Sequence, residues 1–544
     1  MKTIIYFKIR ALKNLISKYF LSSPLRSILI VCFYVLAMGV IYLSIWGGFQ
    51  FISSLGELSF IIIKRLIFII FFITFFMIAL SFAILYYTSS FRSKETEFLI
   101  TLPYSYWELS FYKFTESALL ASWLPLGGLI LFIIVYTQIN NLSILIPLLS
   151  IFYLIPFILI ASSLGYIFCI LVLRFLDLRK VFAIIVLSVI VVLYFFPPLK
   201  EKNMNIFYII SEEIVFFKIS QLWFMPFSWP GWVIVDLENG KFINSFIFLI
   251  NLWTLSILSL NFIHSYGGNV FKSLFLKHSV PKHKRQYRQG FLDKLFTLKI
   301  FPLHMGSFFL KDVKLFVREP VLWLQFLIFF GLMFFYFINI RRFSYNLLGD
   351  IWKNLIAFLN TFSILCITSA LSIRFIFPQW SLEGKSYWIL KLSPLNIKNI
   401  YFEKFIFSLI AFLPVSLTLI YIANKMLKVT SNVFFLTIWI VFISTCSLVS
   451  FSLGWGAYFA DFKREYYLKA VESLGGFINI IINFSYIVVT VFTFTFLNHL
   501  IITRNVLFFK KYIFYILGGW GILSILLSTL ITYIGIRKLK NKEY

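Results

Sequence analysis

Apolar runs of about twenty residues recur along this whole chain, and such runs admit very few folds. Of the 544 residues, 61% are hydrophobic and 13% are charged, with a mean hydropathy of +0.93. A soluble protein carries about 25% charged residues. A run of about 20 apolar residues matches the roughly 30 Å hydrocarbon core of a bilayer. Inside lipid every backbone N–H and C=O must find a partner within the protein, which leaves helices or closed barrels. A barrel strand alternates apolar and polar residues, and these runs are continuous. The sequence therefore predicts an all-α, polytopic membrane protein.

The runs put spans near residues 26–50, 66–89, 114–138, 143–173, 180–197, 242–263, 320–340, 352–376, 404–424, 432–459, 475–498 and 512–536. That is about twelve transmembrane helices in two sets of six. The predicted organisation is a first half at 1–263, a basic cytoplasmic linker at 264–307 and a second half at 308–544. An even number of spans gives both halves one orientation, so the expected arrangement is a pair of parallel repeats. Most lysines and arginines fall on one side if both termini are cytoplasmic, as the positive-inside rule requires. Lys64-Arg65 and Arg341-Arg342 are the exceptions, placed at the outer mouth. The formal charge of +28 then reads as topology signal and contact with anionic membrane lipids; nucleic acid is not an expected partner. The stretch 3–20 reads as a basic interfacial helix, with a counterpart at Phe308-Phe-Leu-Lys-Asp-Val-Lys-Leu-Phe-Val-Arg-Glu-Pro320. Trp223, Phe224, Phe227, Trp229 and Trp232 fall in the one sizeable outer loop, 198–241, where headgroup-level aromatics are expected.

Two charged stretches between spans look like copies. The first is Phe91-Arg-Ser-Lys-Glu-Thr-Glu-Phe-Leu-Ile-Thr-Leu-Pro-Tyr, running on to Lys113. The second is Leu382-Glu-Gly-Lys-Ser-Tyr-Trp-Ile-Leu-Lys-Leu-Ser-Pro-Leu, running on to Lys404. One constant offset aligns Lys94 with Lys385, Leu99 with Leu390, Pro103 with Pro394 and Lys113 with Lys404.

Other constellations carry less chemistry. Gly384-Lys385-Ser386 imitates the end of a phosphate-binding loop, but the glycine required five residues earlier is Gln379 and no strand precedes it. His278 and His283 are five apart, off the i, i+4 spacing of a helical metal pair, and no carboxylate or cysteine lies nearby. Cys32, Cys169, Cys366 and Cys446 all sit in apolar runs and read as packing residues. Glu116 is expected at the interface beside Lys113, since a carboxylate is costly at mid-membrane. Few other charges fall within spans, which argues against a carrier driven by protons or sodium. The pairs Gly127-Gly128, Gly475-Gly476 and Gly518-Gly519, with Gly454-Trp-Gly456, suggest close helix packing. Pro125, Pro147, Pro156 and Pro414 are candidate kinks. No catalytic residues, cofactor or metal site are predicted.

The stretch from Ser93 to Pro103, followed by Lys113 before a span, resembles the loop after the second helix of ABC-2-type exporter permeases. The duplicated layout resembles the fused, twelve-span ABC exporter permeases of bacteria. The resemblance implies a non-enzymatic transmembrane subunit of an ATP-driven exporter in the bacterial plasma membrane. It further implies two copies of a separate ATP-binding cassette subunit as partners and an exported substrate that the sequence does not identify. The implied docking residues are Lys94, Glu95, Glu97, Phe98, Leu99, Leu102 and Pro103 in the first loop. In the second loop they are Lys385, Trp388, Leu390 and Pro394. Phe98, Leu99 and Leu102 are expected to fill a groove of the partner while Lys94, Glu95 and Glu97 set register. A membrane enzyme or lipid-handling protein that works without an ATPase is the alternative.

Overall fold

The computed structural model describes residues 58–91, 93–142, 145–175, 220–279, 310–314, 350–392, 396–462, 473–504 and 507–541, with scattered positions between 10 and 53. Among the described residues there is no strand. The described helices fall into two compact units.

The first unit contains α1 (Leu58–Phe91), α2 (Lys94–Thr101), α3 (Tyr106–Ile139), α4 (Leu145–Phe175), α5 (Trp229–Glu238) and α6 (Phe242–Ser279). The second contains α7 (Asp350–Phe375), the short α8 (Tyr387–Leu392), α9 (Ile397–Leu427), α10 (Ser431–Tyr458), α11 (Leu474–Arg504) and α12 (Leu507–Lys540). Two 3-10 turns, Phe377–Gln379 and Ser381–Ser386, join α7 to α8. Among the described residues eight helices are long and apolar enough to cross a membrane, or nine with α3, which bends by 46° between Trp123 and Pro125. Proline at that point removes an intrahelical hydrogen bond and crowds the preceding turn. The expected spans 180–197 and 320–340, and most of 26–50, lie outside the described residues.

The long helices are apolar on nearly every side, so burial alone does not set their packing. Leu119, Phe152, Ile257 and Phe492 are more than half exposed, as suits faces turned to lipid. Between helices, lipid offers no hydrophobic driving force, so close contact and interhelical hydrogen bonds decide the fit. In the first unit α1 packs on α3 and α4 through an aromatic core. The ring of Phe157 meets those of Phe71 and Phe75 edge-on at 5.6 and 5.5 Å. Phe227 meets Phe72 at 4.9 Å, and Trp232 meets Phe68 at 5.0 Å. These two aromatics of the expected outer loop thus belong to the core, while Trp223 and Phe224 remain exposed. α6 continues through Ser279, beyond the point where a linker was expected.

In the second unit α10 is central and packs on α7, α9, α11 and α12. Its last turns carry Gly454 and Gly456 against other backbones: a Cβ on Gly456 would meet the Phe377 carbonyl, and one on Gly454 would meet Ile531. A buried polar seam crosses the same unit. Asn479 and Asn483 each donate to Ser452 Oγ at 3.1 Å, and Ser452 lies 3.0 Å from Ser372 Oγ.

Candidate functional site

The two charged loops fold into short helices pinned beneath the spans that follow them. In the first unit Ser105 starts α3 with a reciprocal cap: its hydroxyl accepts from the Glu108 N–H at 3.3 Å, and the Glu108 carboxylate accepts from the Ser105 N–H at 3.2 Å. This satisfies two orphan donors at the helix start and fixes the turn between α2 and α3. Two turns into α3, the Lys113 side chain is 1% exposed. Its ammonium lies 2.9 Å from Glu116 Oε2 and 3.4 Å from Glu95 Oε2. Tyr112 donates its hydroxyl to Glu95 Oε1 at 3.1 Å. Glu95 belongs to α2, so one buried cation holds the short helix to the span. Thr96 adds a second tie, donating to the Ser89 carbonyl of α1 at 2.6 Å.

The second unit repeats the lysine with different partners. Lys404, on α9, is 3% exposed. Its ammonium lies 2.8 Å from Glu383 Oε1 and 3.5 Å from Asp312 Oδ2. Glu383 also accepts from Lys311 at 2.6 Å. The Trp380 ring lies 5.5 Å from the Lys404 ammonium, a favourable cation–π placement. Three pieces of chain meet here: the helical stretch 310–314, the 3-10 turn before α8, and α9. Asp312 and Glu383 were not among the expected site residues. Neither carboxylate falls at a position equivalent to Glu95 or Glu116, so the repeat could not point to them. Asp312, one of two acidic residues in the basic and apolar stretch 308–320, was the available signal.

The expected docking residues divide by direction. Leu99 and Leu390 are both buried within their own units. Leu99 sits with Leu109, Tyr112 and Phe271, and Leu390 with Trp380, Tyr387 and Ile400. They anchor their helices inward and are not free to fill a partner's groove. Phe98 and Trp388 are 63% and 50% exposed. Glu95, Glu97 and Pro103 are also exposed, and Leu102 is half-buried. Lys94 and Lys385 are helical, their side chains outside the described residues, and Pro394 lies outside them altogether. Each unit therefore presents an outward aromatic on a short helix whose other face is fixed.

Gly384-Lys385-Ser386 lies on the 3-10 turn Ser381–Ser386, with Gly384 at φ 50°. Among the described residues no strand precedes it, so it lacks the strand–loop–helix setting in which backbone amides cradle phosphates. His264 packs against Trp107 at 4.1 Å. No group of three His, Cys, Asp or Glu suited to a metal ion occurs among the described residues.

These features define an all-helical protein with eight helices able to cross a membrane among the described residues, and with a short helix tied by a buried lysine in each unit. Residues 21–544 match the family described as "Putative ATP-binding cassette", and the chain belongs to that family. No curated protein matches the chain, and no solved structure matches it. The family match corrects two expectations. The chain was expected to be a non-enzymatic transport subunit, with ATP bound and hydrolysed on a separate partner. The family's description instead attaches the ATP-binding cassette to the chain itself, across nearly its whole length. That expectation rested on the missing phosphate-loop glycine at Gln379, on a loop resemblance and on the duplicated layout, and none of these outweighs the family match over residues 21–544.

Proposed function

We propose that this protein works in ATP-driven transport across a membrane, and that α2 and α8 pass nucleotide-dependent movement to the spans. The observation that carries the reading is the family match over residues 21–544 of a chain built from membrane-length helices. The lysine clusters give the proposal its mechanics. A coupling element must move with the helix it drives. Lys113 and Lys404 are both buried where a loop meets a span; breaking the fully buried Lys404–Glu383 pair costs about 3–5 kcal/mol, whereas the half-exposed Lys113–Glu95 pair contributes about 0–1 kcal/mol. The outward faces of α2 and α8 then receive force through the exposed Phe98 and Glu97 in one unit and Trp388 in the other. α2 and α8 lie at the cytoplasmic face of a plasma membrane, and the direction of transport is outward. Anionic lipids of that leaflet contact the basic loops.

Two measurements test this reading. The purified chain, with no other subunit, is titrated with a fluorescent ATP analogue, and its ATP turnover is followed in lipid. The family's description leads to saturable binding by the chain alone; binding no greater than that of heat-denatured protein would overturn it. In the same preparation Phe98→Ala with Trp388→Ala is expected to lower turnover while leaving nucleotide binding intact. Unchanged turnover would remove α2 and α8 from the mechanism.

A further inference from the structure

We infer that the second unit carries a binding site for an anionic phospholipid in the groove between α9, α10 and α12. The groove has a volume of about 480 Å³, within the roughly 300–1,000 Å³ range of ligand-sized pockets. Phe402, Phe405, Phe442 and Ile525 supply apolar wall. Four of the hydroxyls that line it are engaged within their own helices, while the Tyr401 hydroxyl is buried without a hydrogen-bond partner among the described residues. Ser447 donates to the Ile443 carbonyl at 3.0 Å, Ser528 to Ser524 at 2.8 Å and Thr532 to Thr529 at 2.8 Å. With those four donors satisfied, the α10 and α12 walls offer mainly methylene and methyl surface and suit a hydrocarbon chain.

One end of the groove is basic. Lys398, in the first turn of α9, lines it and is exposed. α9 begins at this end, while α10 and α12 finish there. Along α12 the lining positions 525, 528, 529, 532 and 536 continue at helical spacing to the exposed Lys540. A long apolar channel with Lys398 at one end matches an acyl chain beneath a phosphate headgroup. It discriminates against a neutral amphiphile, because a lysine near the membrane surface contributes only when the headgroup carries negative charge. The occupant is therefore a membrane lipid of the leaflet that Lys398 faces. Its headgroup would rest beside α8, which ends at Leu392.

Native mass spectrometry of the full chain in detergent tests the site, with phosphatidylglycerol and phosphatidylcholine as probes. The expected result is retention of phosphatidylglycerol adducts over phosphatidylcholine. Lys398→Ala should weaken phosphatidylglycerol retention about fivefold, and Cys446→Trp, which fills the channel, should abolish it. Lys425→Ala, at the far end of α9, is the control and should leave retention unchanged. Equal retention of both lipids, or retention unaffected by Lys398→Ala and Cys446→Trp in folded protein, would overturn the site. The readout needs neither nucleotide nor transport, so it stands or falls apart from the ATP-driven reading.

Discussion

Lys113 and Lys404 show how much a single position can reveal and where that ends. Their common offset marks them as equivalents, and each is buried in a contact between a loop and a span. Their carboxylate partners are not equivalent, because charge balance can be met from any strand of chain that reaches the ammonium. Glu95 lies on α2, whereas Asp312 arrives from a segment far upstream. The two clusters should also fail differently. Glu383 is 7% exposed and serves both Lys404 and Lys311. Glu95 is 41% exposed at 3.4 Å, and Lys113 keeps Glu116 at 2.9 Å without it. Removing one partner of a buried pair costs about 3–5 kcal/mol, and an exposed pair contributes about 0–1 kcal/mol. Glu383→Gln is thus expected to lower the unfolding temperature clearly, and Glu95→Gln hardly at all. Tryptophan fluorescence during heating in detergent measures both, and equal shifts would contradict the ranking.

At the level of elements, long helices were legible because lipid leaves the backbone little choice. Their mutual fit was less so. Glycine pairs look alike in sequence but differ in place. Gly456 meets the Phe377 backbone and Gly165 the Ala79 backbone, whereas Gly128, Gly518 and Gly519 have open space where a Cβ would go. A carbonyl cannot rotate aside as a side chain can, so a methyl at Gly165 or Gly456 must push two helices apart. Overpacking of this kind costs about 1–3 kcal/mol. Gly165→Ala and Gly456→Ala should each lower thermal stability, while Gly128→Ala and Gly519→Ala should be neutral or slightly stabilising through helix propensity. The same heating experiment reads all four, and a stable Gly456→Ala would show that α10 has room to shift. The short helices taught a related lesson. Sequence turned Phe98, Leu99 and Leu102 all outward, because a helix of eight residues has too few turns to show which apolar residue faces its own unit. Leu99 and Leu390 turned out to hold the helix to its own unit, leaving Phe98 and Trp388 outside.

At the scale of the whole molecule, the helical membrane class was legible from the runs alone, because run length and bilayer thickness are set by the same geometry. The molecular role was not. A loop resemblance and a duplicated layout suggested a subunit that leaves ATP to a partner, and the family match over residues 21–544 overrode it. The reason is physical: phosphate-binding loops are recognised by local glycine spacing, and Gln379 breaks that spacing before Gly384-Lys385-Ser386. Topology remains the property on which the coupling proposal depends most, since α2 and α8 can act together only from one face of the membrane. An even number of crossings between them is required. With α6 beginning at Phe242, just after Gly240, single cysteines give a direct test in a background lacking the native four. Glu97→Cys and Trp388→Cys should react with a membrane-impermeant maleimide from the same side. Gly240→Cys, in the turn before α6, should react from the opposite side. Labelling of Glu97→Cys and Trp388→Cys from opposite faces of intact cells would break the parallel repeat and leave the two lysine clusters as separate structural pins.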